Sequence, residues 1–486
     1  MTFVSTLEPQ ILWQPFDDIL AIPRGSRNEE AMRRYVIATA ERHGLRHRLD
    51  DGGNLVVEKP GTAGREGAPI TVLQAHLDMV NEKNSDVVHD FQRDLIVPRR
   101  DGEFLKATGT TLGSDNGIGV AAMLALINST DLVHGPLELL FTVEEEIGLE
   151  GARRLDPALV TGRRLLNLDS EEEGAVTVGC AGAAGSRTTL PAESAAVPQG
   201  SAALTVKVSG LQGGHSGLDI HLQRGNAVKI LSRALFAAFT EQPFRLASCR
   251  GGDKHNVIPR EATAELIAGP GQAAALRQAV ERELSAIEAE LRAVEPDLRC
   301  EIADAPAAGQ AWSEDSTRAL LALLEALPHG VLAMSRDIPG LVETSTNLAS
   351  VQGQAGEPVV ALLQSTRSSV ASALRATRQR LRAVASLAGA RVEENEGYPA
   401  WQPDLSSPLL AAVRRVHERT FGAEPEIRAV HAGLECGVIG EKCPGMDMIS
   451  FGPRIEFPHS PDERVHIESV GRFWRLLTAV LEELAA

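Results

Sequence analysis

Two spacings of apolar residues alternate along this chain. Glu29–Ala40 carries apolar residues at helical spacing, and Gly52–Gly53 followed by Asn54–Glu58 reads as a turn and a strand. Ile70–Val80 has a largely apolar beginning, which suggests a buried strand, with His76 and Asp78 at its C-terminal end. Period two sets those two side chains on one face. A glycine-rich loop, Gly113–Gly119, opens the apolar run Val120–Ile127, so that Asp115 sits just before a helix, where a carboxylate favours the exposed N–H groups. Pro136–Val143 predicts another buried strand that runs into Glu144, Glu145 and Glu146, and Arg164–Leu168 predicts one that ends at Asp169. Strands alternating with helices imply a largely parallel sheet, in which ligand sites gather beyond the C-terminal ends of the strands. His76, Asp115, Glu145, Glu146 and Asp169 all fall there.

From Ala181 to Ala203 the composition shifts to Ala, Gly, Ser, Thr and Pro, which reads as the exit from a first domain. A second domain then starts near Leu204, with a strand at Ala203–Val208, a helix over Gly225–Phe239, a strand at Ala262–Ile267 and a long charged helix over Ala273–Val294. A second half repeats the theme in element order: a helix at Ser316–Leu327, strands near Thr346–Val351 and Val359–Leu363, and a helix at Ser368–Leu387. The proline-rich stretch Gly397–Pro408 reads as a return linker. Beyond it the α/β pattern resumes, with a helix at Leu409–Phe421, the loop His431–Gly437, a strand at Met446–Phe451, a proline-bounded loop carrying His459, and a closing helix over Ser469–Leu484.

Composition narrows the choice of function. At 486 residues and 43% hydrophobic content, the chain has the length for two or three domains with a large core. A formal charge of −17 without a basic cluster argues against nucleic acid or an anionic membrane as partner. The N-terminus has no secretory pattern, and the longest apolar runs are too short to span a bilayer. Five cysteines without a CxxC spacing fit reduced thiols, so the expected compartment is cytoplasmic.

Each acidic strand end has an ordinary explanation when taken alone, as a helix cap, a turn residue or a solvated charge run. Taken together, His76, Asp115, Glu146, Asp169 and His459 supply two imidazoles and three carboxylates. Two divalent ions carry four positive charges, which three carboxylates and one bound hydroxide would neutralise, and a bridging Asp115 would hold the pair roughly 3.5 to 4 Å apart. Asp78 can accept the second ring proton of His76, and a non-ligating Glu145 can take the proton of an activated water. That combination hydrolyses amides.

These residues stand in Ala75–Val80, Thr111–Gly117, Phe141–Glu146, Asn167–Ser170, Gly213–Gly217, His431–Gly437 and Pro458–Glu463. In that order, over nearly the whole chain, they resemble the dinuclear zinc peptidases and acylases, a family of dipeptidases, tripeptidases, carboxypeptidases and succinyl-diaminopimelate deacylases. The likeness is greatest to its bacterial aminoacyl-histidine (Xaa-His or β-alanyl-histidine) dipeptidases. The resemblance implies an α/β fold: a catalytic domain with a mostly parallel mixed sheet over residues 1–184 and 396–486, and an inserted α+β lid of two ferredoxin-like halves over residues 185–395. It implies that His76 and Asp169 bind one zinc, Glu146 and His459 the other, and Asp115 both. Glu145 would be the general base, Asp78 would orient His76, and His215, Asn256 and Arg367 would bind substrate. The family commonly has Asp-Glu-Glu where this chain has Glu144–Glu146, which leaves the register of the three glutamates to be fixed by structure.

The implied activity is hydrolysis of dipeptides, Xaa-His and β-Ala-His among them, by a zinc-bound hydroxide. A tripeptidase and an N-acyl-amino-acid deacylase would share the same motifs, and a non-catalytic homologue would lack only the activity. A two-metal phosphoesterase would need cationic side chains that the motif regions lack. Mn²⁺ or Co²⁺ would suit the same ligands. The sequence leaves open whether the chain forms a homodimer and whether His215 acts within its own subunit.

Overall fold

The computed structural model describes residues 2–306 and 308–486. The chain divides into two compact units: residues 1–180, 401–429 and 434–486 form one, and residues 181–400 with 430–433 form the other.

Among the described residues, the first unit is built on an eight-stranded mixed sheet. Its centre is parallel: strand Thr71–His76 lies between Leu137–Thr142 and Arg164–Asn167, and Asp447–Ser450 runs parallel to the latter. Every residue of Thr71–His76 and of Leu137–Thr142 is buried, as befits strands covered on both faces, and the polar Gln74, His76, Glu138 and Thr142 among them are buried with the rest. Register decides where the site forms. His76 pairs with Thr142, Gln74 with Asn167, and Asn167 with Ser450, so the four strands end almost level. Antiparallel strands Arg46–Leu49 and Leu55–Lys59 complete one edge.

Beside this sheet stands a small four-stranded one that the sequence pattern did not disclose. Strands Pro98–Asp101 and Phe104–Ala107 form a hairpin, and Phe104–Ala107 pairs with Arg464–His466, itself paired with Ile455–Glu456. The turn between the last two strands carries His459 and Glu463.

The second unit is antiparallel throughout its nine-stranded sheet, among the described residues. Strand Ala202–Ser209, helix Ala227–Glu241, strands Arg245–Gly251 and Ala262–Ala268, helix Ala273–Leu291 and strand Arg299–Ala305 form one β-α-β-β-α-β half. The other half uses helix Glu314–Ala326, strands Val342–Gln354 and Val359–Ser368, helix Ala371–Leu387 and strand Arg391–Glu394, but its first strand is Gly182–Pro191. The first part of the Ala/Gly/Ser/Thr-rich stretch that reads as an exit segment, Gly182–Pro191, is therefore an internal strand. Its small residues lie between two partner strands, whose ladder hydrogen bonds and buried neighbours hold a sequence with little intrinsic strand propensity. Strands Arg245–Gly251 and Val342–Gln354 join the halves into one sheet, over a core that includes Trp312, Leu266, Leu348, Leu231 and Leu235.

Candidate metal centre

The level strand ends bring His76, Glu146 and Asp169 to one place, the start of helix Ser114–Asn128 adds Asp115, and the His459 turn adds the fifth candidate ligand. His76 Nε2 stands 3.0 Å from Asp115 Oδ1 and 3.3 Å from Asp169 Oδ1. His459 Nε2 stands 3.2 Å from Asp115 Oδ2 and 3.0 Å from Glu146 Oε2. Asp115 thus turns one oxygen to each histidine. Glu146 Oε1 is buried without a hydrogen-bond partner, and one donor atom each from His76, Asp115 and Glu146 lie within 4.8 Å of one another. Two imidazoles converging with three carboxylates, one of them holding an orphaned buried oxygen, fit a divalent-cation site.

The register of the glutamate run is clear from its contacts. Glu144 turns away and pairs with Arg154 at 2.9 Å, while Glu146 faces His459. The strand containing His76 ends at that residue, so Asp78 takes its direction from the following loop and not from strand period two. Its buried carboxylate accepts from the Ser26 hydroxyl and from the backbone N–H groups of Glu145 and Glu146. His76 Nδ1 lies 3.1 Å from the Asp78 carbonyl and 3.4 Å from its Oδ1. Asn116 Nδ2 donates to Asp169 Oδ1 and to the Leu168 carbonyl.

Asp115 does not cap its helix. That helix spans Ser114–Asn128 with Gly113 at its cap position, and Asp115 and Asn116 depart from helical backbone angles. The N–H groups of Leu112, Gly113, Ser114 and Asp115 instead converge on the carboxylate of Glu463. The carboxylate expected at this helix start is present, but it arrives from the far end of the chain, leaving the Asp115 side chain to face the two histidines.

Electrostatics follow from crowding acids in a buried place. Burial raises Glu145 well above the usual carboxylate range, with Asp169, Glu146 and Glu435 reinforcing it. Glu146 and Asp169 are likewise raised, chiefly by burial. Burial would lower His76, but Asp169, Asp115 and Asp78 outweigh it and hold the imidazole well above its ordinary value. Hydrogen bonds to Asp115 and Glu146 push His459 up to about 11. Glu145, Glu146 and Asp169 held up, with both imidazoles also held up and Asp115 held down by its hydrogen bonds to them, together describe a strongly negative pocket that favours a cation.

Two further acids belong to this surround and escaped the sequence reading. Glu171, two residues beyond Asp169, is pushed up to about 9 by burial, Asp115 and Asp169. Glu435 is fully buried, accepts from Gln74 Nε2 and the Thr142 hydroxyl, and is raised to about 8, mainly by burial. The alternation of Gln74 and His76 along one strand was the available signal, because a buried glutamine needs a polar partner.

The remaining candidates lie in the second unit. His215 is held by its own loop: its N–H donates to Asp219, and its Nδ1 accepts from the N–H groups of Gly217 and Leu218. With Nδ1 accepting, the ring hydrogen sits on Nε2, and burial together with Arg367 keeps the imidazole pKa below its ordinary value. Arg367 lies within strand Val359–Ser368, nearly buried, and its Nη1 donates to the Tyr398 hydroxyl at 2.8 Å. His431, near Arg367 and His215, is 2.7 Å from the Ser345 hydroxyl and is lowered to about 3 by burial and by Arg367. Asn256 is half-buried, and its carbonyl accepts from Ser216 N–H.

The profile of peptidase family M20/M25/M40 matches residues 72–483. The chain is 42% identical to the cytosol non-specific dipeptidase of Escherichia coli K12, with both sequences covered in full. It is also 42% identical to the aminoacylhistidine dipeptidase of Vibrio alginolyticus, whose crystal structure superposes with a TM-score of 0.93 over 99% of this chain and 98% of that one. Aminopeptidase PepT from Bacillus cereus shares the fold at 16% identity, with a TM-score of 0.59 over 99% of this chain and all of that one.

Proposed function

This chain belongs to peptidase family M20/M25/M40, and from that premise we propose that it hydrolyses dipeptides, Xaa-His peptides such as β-Ala-His among them, with two divalent ions, zinc foremost. The observation that carries this reading is the set of contacts around Asp115, one oxygen toward His76 and the other toward His459, with Asp169 and Glu146 flanking. In this reading His76 and Asp169 hold one ion, Glu146 and His459 the other, and Asp115 both. Bound there, such ions act as Lewis acids on a scissile carbonyl and make water a better acid.

The protein's own groups have separable tasks. Glu145, half-buried among acids and held by its backbone N–H to Asp78, takes the proton of the attacking water and returns it to the leaving amine. His215, neutral and carrying its hydrogen on Nε2, donates to the carbonyl oxygen as charge develops, with Asn256 as a second donor. Arg367 receives the free C-terminal carboxylate of the dipeptide, a role suited to a preorganised guanidinium. The inserted unit serves as a lid that excludes water. The five cysteines are free thiols, which together with the cytosolic relative supports a cytoplasmic setting.

The deciding experiment is a substrate panel with metal supplied: β-Ala-His, Gly-His, Ala-Ala, a tripeptide, and N-acetyl and N-succinyl amino acids. Cleavage of dipeptides, lost in Glu145→Ala, is the expected result. Turnover of the acylated amino acids alone would reassign the substrate while keeping the site, and metal uptake without any turnover would overturn the reading.

A further inference from the structure

Arg24 and Glu463 are each only 2% exposed, are side chains of opposite charge type, and have no place in the chemistry above. Burying such groups is costly unless they are paired and their hydrogen bonds are made. Here they are made almost entirely to backbone, and to two segments: Leu112–Asp115, which carries one candidate ligand, and Leu77–Asp78, which directly follows another, His76.

Glu463 Oε2 accepts the N–H groups of Leu112 at 2.7 Å and Gly113 at 2.9 Å. Its Oε1 accepts the Ser114 N–H at 2.7 Å, the Ser114 hydroxyl at 2.6 Å and, more weakly, the Asp115 N–H at 3.4 Å. Consecutive N–H groups at a helix start form a concave anion site, and a carboxylate there makes charge-assisted bonds. Arg24 works on the opposite side of the same peptides. Its Nη2 donates to the Gly113 carbonyl, while its Nη1 donates to the carbonyls of Leu77 at 3.0 Å and Asp78 at 2.8 Å. Gly113 is thus gripped at its N–H by the anion and at its C=O by the cation. Its backbone has φ of 74°, and a Cβ there would come within 2.5 Å of Arg24 Nη2 and 2.7 Å of Met79 Sδ, so no larger residue fits the clamp.

We propose that Arg24 and Glu463 are positioning residues for the metal centre, a buried cation and anion that lock the Asp115 loop to the end of the His76 strand and to the turn bearing His459. The proposal rests on the metal-centre reading above. Its physical basis is the demand placed on Asp115, which faces His76 with one oxygen and His459 with the other. A small rotation of the backbone at Ser114–Asp115 would keep one of those contacts and break the other. Local sequence cannot prevent that rotation, because the loop is glycine-rich and its helix has no side-chain cap. Glu463 prevents it from a turn that also carries His459, four residues earlier, so bridge and ligand move as one body.

Glu463→Gln is the informative change: it keeps the size but replaces one acceptor oxygen with an N–H₂ that confronts backbone donors. Ser114→Ala removes a single donor and leaves the charge in place. The full-length wild type and both variants would be titrated with Co²⁺, followed by its visible absorption, and assayed for dipeptide turnover well below their melting temperatures. Glu463→Gln is expected to bind the more weakly held Co²⁺ about 10- to 100-fold less tightly, with kcat reduced by a similar factor and KM within about twofold of wild type. Ser114→Ala is expected to lose about threefold to tenfold in the same two quantities. Unchanged Co²⁺ affinity and kcat in the folded variants, with only a lower melting temperature, would overturn the proposal alone and leave the pair a structural one. Should Glu463→Gln fail to fold, Ser114→Ala decides by the same criteria. A wild type that takes up no Co²⁺ would overturn the metal-centre reading and this proposal with it.

Discussion

Asp78 Oδ1 accepts the backbone N–H of Glu145 at 3.0 Å, so the buried carboxylate beside His76 also sets the position of the proposed general base. Its other oxygen takes the Glu146 N–H and the Ser26 hydroxyl. Asp78→Asn turns one of these acceptors into a donor facing N–H groups. Turnover is expected to fall by about 10- to 100-fold with a smaller change in KM, as for other groups that orient metal ligands; steady-state kinetics on the preferred dipeptide would check this.

Glu145→Gln tests the proton step separately from metal binding. Among the described residues, Glu146 pairs with His459 at 3.0 Å while Glu145 forms no ion pair with either histidine. The substitution should lower kcat by about 10²- to 10⁴-fold while equilibrium dialysis finds the same quantity of bound metal. Glu146→Gln should instead lower metal content, and a chelator should abolish wild-type activity until Zn²⁺, Mn²⁺ or Co²⁺ is restored.

Arg367 makes its prediction through substrate charge. Its guanidinium is nearly buried and already oriented by Tyr398. Arg367→Met should cost about 1.5 to 3 kcal/mol in kcat/KM for dipeptides with a free carboxylate. Dipeptide amides, which lack that charge, should be cleaved equally by wild type and variant, at the same low rate.

The pH dependence of stability should carry a His431 contribution. Burial and Arg367 hold this imidazole at about 3 in the folded protein, against 6.5 when unfolded. Below pH 6.5 the unfolded chain gains a proton that the folded chain does not accept, so stability present at neutral pH is lost as the pH falls. His431→Gln removes that loss. Between pH 7.5 and 5 its stability relative to wild type should improve by about 2 kcal/mol, measured by urea unfolding at both values.

The parallel core was readable because strands buried on both faces have no polar alternation, and Thr71–His76 and Leu137–Thr142 have none facing solvent. The strand Gly182–Pro191 was not, because its composition signals a linker and only its partners make it a strand. Arg367 lies within strand Val359–Ser368 although the apolar pattern ends at Leu363, since a run of Ser and Thr hides the continuation. Among the candidate ligands, His76, Asp115, Glu146, Asp169 and His459 are suggested by strand ends and motif order. Glu463 could not, although it stands only four positions beyond His459, because nothing local to it indicates a partner 349 residues away.

The sequence by itself determined which side chains stand at the ends of buried strands and that acids and histidines collect there, since burial pattern and chain order are local properties. Tertiary structure alone decided how they face one another. Pairing of Arg464–His466 with Phe104–Ala107 carries the His459 turn to the Asp115 loop, and Glu463 and Arg24 then fill the backbone donors and acceptors that the glycine-rich loop leaves open. The physical reason is that unpaired backbone groups must be satisfied once buried, and here the partners that satisfy them come from distant segments whose approach no local pattern encodes.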